Sequence, residues 1–446
     1  MTDPTAATTT APTPVAQNAG LLAGLRILDL STYVAAPSAA MQLAQLGAEV
    51  IRIDPIGGAT DARRLPMDAG GHSLYWAGLN KGKRSIEVDV RSDEGRQLVV
   101  DLLTATGPDG GIVLTNAVGR SWLSYDNLSQ ARPDLIMVHI LGRADGTPAV
   151  DYTVNCEVGF PYMTGPVDST RPVNHVLPAW DFLTGLHAAT AVLAAERHRS
   201  RTGEGRLIRV ALEDVAAATV AHLGMIADVV VNGRGRLRDG NYLYGSFGCD
   251  FQTADGDRVM VVALTERHWR NLVEMTDTGE AISALERSLG VDLQDEGVRF
   301  EHRELLAALF TPWFERHGTE DVHKGLDDSQ VLWGSYQTVE EFVRDPGSLV
   351  ARSPLFAPVH HPGIGTFPTP RSVLDGARPD GPPAPAPLPG QDTEAVLREL
   401  LGLNGEAIGD LRQRRVIGGG VIGGDGFGGD AVDGDGAGGG ARAHAV

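Results

Sequence analysis

Between residues 25 and 141, short apolar runs alternate with longer stretches of helical spacing. This alternation limits the fold more than any other feature of the chain. "LRILDLS" has the composition of a buried strand and "PSAAMQLAQLGA" that of a helix. "EVIRIDP" and "KRSIEVDV" read as further strands, "DEGRQLVVDLLTAT" as a helix, and "GGIVLTN" and "DLIMVHIL" as two more strands. Apolar runs of this length, separated by helices, predict a parallel sheet covered on both faces. A helix over 182–199, the turn "RTGEG" and the strand "RLIRVAL" continue the pattern. From about residue 240 it changes: "FQTADGDRVMVVAL" predicts a hairpin around an Asp-Gly turn, and "ERHWRNLVEMT" and "RELLAALFTPWFERH" predict helices. A second, α+β unit is expected there. Beyond about residue 350, "FAPVHHPGIGTFPTPRS" predicts extended structure.

The chain has 446 residues, 42% of them hydrophobic, enough for two or three packed units. Its formal charge of −19 argues against nucleic acid or an anionic membrane surface as partner. The two cysteines, Cys156 and Cys249, lie far apart with no paired spacing, which fits a reducing compartment and no zinc site. The first residues lack a basic segment followed by an apolar one, and no run of about 18 apolar residues occurs. A cytoplasmic location is therefore expected. Residues 1–19, rich in Thr, Ala and Pro, and the glycine-rich 413–446 are expected to be disordered.

Several segments carry candidate chemistry. The loop "STYVAAPSAA" after the first strand has no glycine, so the backbone cannot approach a pyrophosphate as a dinucleotide fingerprint requires. Asp54 is thereby deprived of the ribose-binding role its position suggests. "LNKGKRSIEVDVR" gathers Lys81, Lys83, Arg84 and Arg91 in an acidic protein. It reads either as a solvated loop or as a seat for phosphates. "RDGNYLYGSFGCDF" is either a connecting loop or a lid in which Tyr242, Tyr244 and Phe247 cover a ligand. His360 and His361 have no ligand partners at suitable spacing and are expected as exposed strand residues; His175 is expected as a core or supporting residue. No metal site is expected. Asp181, in "VNHVLPAWDFLTG", stands alone at the start of the helix. It is a candidate N-cap, with Trp180 stapling the first turn. The two roles being compatible, it is also a candidate nucleophile that the helix terminus would keep ionised.

The motifs "LAGLRILDLSTYVAAPSAAMQLAQLGAEVIRIDP", "LNKGKRSIEVDVR", "DLIMVHILG", "WDFLTGLHAATAVLAAERHRSRTGEG" and "DFQTADGDRVMVV" resemble, in order over about residues 21–400, the class III CoA-transferases. The resemblance implies an interlocked homodimer of α/β chains. Each would have a discontinuous Rossmann-like, parallel-sheet large domain, over 20–212 and 346–412, with a linker and small α+β domain over 213–345. It places the catalytic aspartate on Asp181 and the CoA-holding residues on Lys81, Lys83, Arg84, Arg91 and Asn116. It puts the glycine lid on 245–248, with Gly245 and Gly248 as oxyanion donors and Tyr242 beside them, and the substrate pocket on Asp151, Tyr152 and Asn155. Val150 stands where the racemases of the family carry a histidine, and "YGSFG" replaces a glycine run in the lid. "HSLYWAGLNKGKRS", "DYTVN", "MTGP", "VNHVLPAWD" and "GNYLYGSFG" narrow the resemblance to members that move CoA between the C1 and C4 carboxyls of mesaconate. The partner implied is the CoA thioester of a C5 unsaturated dicarboxylic acid, with no cofactor beyond the CoA of the substrate. Two alternatives stand beside this reading. One is an intermolecular acyl-CoA:carboxylate CoA-transferase; the other is a non-catalytic CoA-binding protein in which Asp181 is only a cap.

Overall fold

A computed structural model describes residues 20–419. The disorder expected for residues 1–19 and 420–446 lies outside the described residues. Six parallel strands form the main sheet: β1 (Arg26–Leu30), β2 (Glu49–Asp54), β3 (Arg84–Glu87), β4 (Ile112–Thr115), β5 (Ile136–Leu141) and β6 (Arg206–Ala211). Their spatial order is β3-β2-β1-β4-β5-β6, the doubly wound arrangement, with its switch point between β1 and β4. The alternation of side chains along each strand divides the core in two. Leu28, Leu30, Ile51 and Ile53 face one layer with Leu98, Leu102 and Leu103 of α3 (Asp93–Ala105). Ile27, Val50, Ile112 and Leu114 face the other layer.

That second layer is built from small residues. Helix α1 (Ala35–Gln45) contributes Ala35, Ala36, Ala39 and Ala40, and the 24-residue helix Ala179–Thr202 contributes Ala188, Ala189, Val192 and Ala195. Small side chains let the two axes approach closely. A Cβ on Gly185 would lie 2.3 Å from Ser38 Oγ and 2.8 Å from the Ala35 carbonyl.

The first layer is completed by the far end of the described chain. Helices Thr393–Leu401 and Gly405–Gln413 supply Val396, Leu397, Ile408 and Leu411, and Val416 and Ile417 are buried with them. The segment also covers the outer edge of β3. Ser85 N–H donates to the Asp392 carboxylate at 2.9 Å, Asp392 N–H to the Ser85 carbonyl at 2.8 Å, and Asp89 N–H to the Val416 carbonyl at 2.8 Å. The expected tail boundary at residue 413 is therefore too early. Apolar Val416 and Ile417, hidden before a glycine run, belong to the core.

Residues 247–335 form a separate cluster. Strands β7 (Phe247–Gln252), β8 (Arg258–Ala263) and β9 (Leu332–Ser335) pair antiparallel. Phe247, Phe251, Trp269, Phe310 and Phe314 fill its core. The span 213–345, expected as a linker and small α+β domain, opens with two helices, Leu212–His222 and Met225–Asn232. The Pro-rich segment pairs as β10 (Phe356–His361) with β11 (Gly365–Pro370). His361 is buried there, stacked on Phe367 at 4.1 Å, while His360 is exposed. The expectation of two exposed histidines holds for one, because alternate strand residues face opposite sides. No single helix among the described residues is long and apolar enough to cross a membrane.

Candidate active site

Helix α7 is Ala179–Thr202, counting Leu74–Leu79 as α2, Tyr125–Ala131 as α4, Asp151–Glu157 as α5 and Phe160–Met163 as α6. Its N-cap is Pro178, which offers no side-chain acceptor, so Asp181 falls inside the first turn and is not the cap. The capping acid comes from α5. The Asp151 carboxylate accepts from Trp180 N–H at 2.7 Å and from Asp181 N–H at 3.2 Å. This satisfies donors that the helix start would otherwise leave free. Trp180 is buried with Val154, Leu212 and Ala216, and its indole N–H donates to Asn155 Oδ1 at 3.1 Å. His175 Nε2 shares the same Asn155 oxygen at 3.0 Å. Asp151 and Asn155, both expected in the substrate pocket, thus anchor α7 from beneath, whereas Tyr152 is exposed.

With its backbone N–H engaged, the Asp181 carboxylate has no hydrogen bond or ion pair among the described residues. Burial, with the Asp151 charge adding repulsion, pushes it up to about 7, and Arg64 pulls the other way. The helix terminus therefore does not hold Asp181 at an ordinary carboxylate pKa: the desolvation term is larger. The Arg64 guanidinium lies 5.6 Å from the Tyr33 ring centre and 4.8 Å from that of Tyr75. Tyr33 has a left-handed backbone, φ 69°, and its N–H donates to Asp61 at 3.1 Å. Sequence reasoning missed Arg64, Tyr33 and Tyr75. The available signal was the aromatic in "STYVAAP" and the "SLYW" motif.

Below this site lies a buried ionic network. Arg52 reaches Asp54 at 2.9 Å and Asp61 at 3.0 Å, and Lys83 reaches Asp29 at 2.8 Å, the Pro37 carbonyl at 2.9 Å and Asn80 at 2.8 Å. The expectation of a mobile phosphate-seeking ammonium is corrected for Lys83, which is consumed inside the fold. Lys81 is buried as well and donates to the Gly78 carbonyl. Arg84 pairs with Glu49 at 2.8 Å and Glu399 at 2.6 Å. Of the basic loop, Lys81 borders a small cavity of about 120 Å³ with Arg371 and Arg378, and exposed Arg91 faces a larger cleft. That cleft, of about 310 Å³, opens at the switch point and is lined by Thr32, Asp54, Arg91, Asn116, Arg120 and Trp122. Asn116 shapes it by bridging to the β1 loop, with bonds to Thr32 N–H at 3.1 Å and to the Thr32 carbonyl at 2.9 Å. Arg120 was not anticipated, because it becomes a neighbour of Arg91 only when β4 pairs beside β1.

Gly245 and Gly248 belong to the turn leading into β7 and to β7 itself. Gly245 has φ 79°, with open space where a Cβ would project. Gly248 lies in β7 opposite Val262, and its carbonyl accepts from Leu243 N–H at 2.8 Å. Tyr242 stacks with Arg303 at 5.5 Å. No hydrogen bond among the described residues joins this loop to Asp181. The preceding Arg238 does dock on the approach to α7, donating to the carbonyls of Pro161 and Arg171 at 3.1 and 2.9 Å.

A doubly wound sheet with a cleft at its switch point defines an α/β protein with a candidate ligand site at the carboxyl ends of its strands. The chain belongs to CoA-transferase family III, whose family model matches residues 22–393. It is 49% identical over 402 residues to the 2-methylfumaryl-CoA isomerase of Chloroflexus aurantiacus, covering 90% of this chain and 98% of that protein. The succinyl-CoA–L-malate CoA-transferase beta subunit of the same organism is 28% identical, over 89% and 98% of the two chains. Among solved structures, a CaiB/BaiF family protein from Brucella suis shares the fold with a TM-score of 0.71 at 24% identity, over 86% of this chain and all of that one.

Proposed function

We propose that the chain interconverts mesaconyl-C1-CoA (2-methylfumaryl-CoA) and mesaconyl-C4-CoA (3-methylfumaryl-CoA) by moving CoA within one molecule. The observation that carries this is Asp181, a sheltered carboxylate without a partner among the described residues, in a chain that matches an isomerase of that name over nearly its whole length. The ionised Asp181 attacks the thioester carbonyl, forming a mixed anhydride and releasing CoA as thiolate. A thiol with a pKa of about 8.5 leaves without strong acid assistance. The thiolate then attacks the aspartyl carbonyl, giving an aspartyl-CoA thioester and the free diacid. The other carboxylate of that diacid attacks the aspartyl-CoA thioester, and the return steps place CoA on C4 and restore Asp181. One thioester replaces another, so the reaction as proposed draws on no cofactor beyond the CoA of its substrate. The nucleotide end of CoA is assigned to the switch-point cleft, with Arg91 and Arg120 for its phosphates. Exposed arginines without acid partners at a point where α/β sheets take ligands support that assignment.

We further propose a homodimer in which the lid of one chain, with Gly245 and Gly248, approaches Asp181 of the other. Support comes from the lid making no hydrogen bond to Asp181 among the described residues of a single chain. It comes also from the exposed apolar face of Leu223, Ile226, Val229, Val230 and Val231 on the helices after β6. Holding the free diacid beside the aspartyl thioester keeps the transfer intramolecular by effective concentration. The test is isomerisation of mesaconyl-C1-CoA in the presence of excess isotope-labelled mesaconate, succinate or acetate. Regioisomer formation without label in the acyl-CoA is expected. Labelled acyl-CoA appearing as fast as isomerisation would make the protein an intermolecular transferase.

A further inference from the structure

Arg64 is exposed, yet its guanidinium is held between two aromatic rings and pairs with no carboxylate among the described residues. One of those rings belongs to Tyr75, whose phenolic oxygen is buried and has no hydrogen-bond partner. Buried hydroxyls are nearly always paired, so an unpaired one beside a free guanidinium marks a place where a ligand atom belongs. The other ring belongs to Tyr33, whose left-handed backbone is fixed by Asp61, itself clamped by Arg52. A non-glycine residue keeps such a conformation only where its surroundings over-determine it. The shelf carrying Arg64 is therefore rigid. It also lies beside the nucleophile: Tyr33 leads into α1, whose Ala35 carbonyl and Ser38 Oγ press on Gly185 one turn beyond Asp181, and in keeping with this Arg64 offsets the rise of the Asp181 carboxyl.

We propose that Arg64, steadied by Tyr33 and Tyr75, is the seat for the substrate carboxylate that does not carry CoA, with the Tyr75 hydroxyl donating a second hydrogen bond to it. This rests on the reading that the acyl group is a diacid, and it names what selects one. Asp181 and Asp151 already put negative charge at the helix start, and a dicarboxylic monothioester adds another. Without a fixed cation the extra charge is repelled; a forked guanidinium binds it at two points. One seat serves both ends of the molecule. The C4 carboxylate occupies it while C1 reacts at Asp181, and after the free diacid turns over the C1 carboxylate takes its place. A monocarboxylic acyl-CoA leaves the seat empty.

The test compares full-length Asp181→Ala, which cannot turn over, with the same protein carrying Arg64→Gln, Arg64→Lys or Tyr75→Phe. Two probes are titrated: mesaconyl-C1-CoA and 2-methylcrotonyl-CoA, in which a methyl group replaces the free carboxylate. Asp181→Ala is expected to bind the first probe more tightly. Arg64→Gln is expected to erase roughly ten- to a hundredfold of that preference, the size of one charge-assisted interaction. Arg64→Lys should retain part of it, and Tyr75→Phe should lose a few-fold. Affinity for 2-methylcrotonyl-CoA should stay level, since a merely structural defect would weaken both probes together. A preference unchanged in Arg64→Gln and Arg64→Lys overturns the proposal, as does its absence in Asp181→Ala. Turnover of mesaconyl-C1-CoA by the unaltered protein is scored separately. Isomerisation with an unchanged preference sinks only the seat, whereas no isomerisation sinks the reading beneath it.

Discussion

A carboxylate raised to about 7 by its own fold is both a reactivity device and a cost. At the residue scale the cost has a definite sign. Asp181 binds its proton more tightly folded than unfolded, where its pKa is near 3.9. The resulting stabilisation is full below about pH 4 and disappears as pH rises through 7. Asp181→Asn should therefore be the more stable protein at pH 8, by on the order of 2–4 kcal/mol, with the gap falling to roughly a third at pH 5. Urea denaturation at the two pH values measures this. The same substitution, and Asp181→Ala, should abolish turnover, and hydroxylamine added with substrate should leave a hydroxamate on the unaltered residue. In the unaltered enzyme kcat/KM should fall as pH drops below about 7. Lys83→Ala should behave as a core mutation. It strands Asp29 in the interior and should cost about 3–5 kcal/mol in denaturant unfolding, where a solvated loop lysine would cost almost nothing. Asp181 was legible because a lone acid before a small-residue helix stands out in one dimension. Its cap was not, since Asp151 lies thirty positions earlier and reaches α7 only once both helices pack.

At the scale of elements, the strands of the main sheet were readable from apolar runs, because β1 to β5 are buried on both sides, and edge strand β6 kept its Leu207, Ile208 and Val210 although it is only half-buried. The helices after β6 were not, and neither was α5. Met225–Asn232 is short and ends in the β-branched run Val229–Val231, which by composition reads as a strand as readily as a helix. The placement of Asp181 depends most on Gly185, one turn further along α7. Gly185→Ala would improve helix propensity by about 1 kcal/mol in isolation. Against that, the new methyl meets the Ala35 carbonyl and Ser38 Oγ, and α7 must lift from α1. The net effect should be destabilisation of roughly 1–3 kcal/mol with a larger fractional loss of activity. Adding Ser38→Ala relieves one contact but not the backbone one, so rescue in thermal melts should be partial. Full rescue would mean that the helices have room the packing does not show.

Over the whole molecule, a formal charge of −19 makes the few free cations count. Arg91→Ala with Arg120→Ala should weaken CoA-ester binding and flatten its dependence on salt, because fewer opposite charges remain to be screened. Ending the chain after Gly419 should leave stability intact. Ending it after Arg415 removes buried Val416 and Ile417 and should cost on the order of 3 kcal/mol. The covering of β3 by residues 390–417 also bears on how such a chain is made. The strands emerge from the ribosome early, but the last of their partners emerges some three hundred residues later. Throughout that interval β3 carries a bare edge able to pair with any neighbouring strand, while the cluster over 247–335 can already close on its own aromatic core. A nascent chain arrested near residue 380 should therefore be protease-resistant in its later half and sticky in its earlier half. Release of the final segment, not the synthesis of the sheet, would mark the moment at which the protein becomes safe from its neighbours.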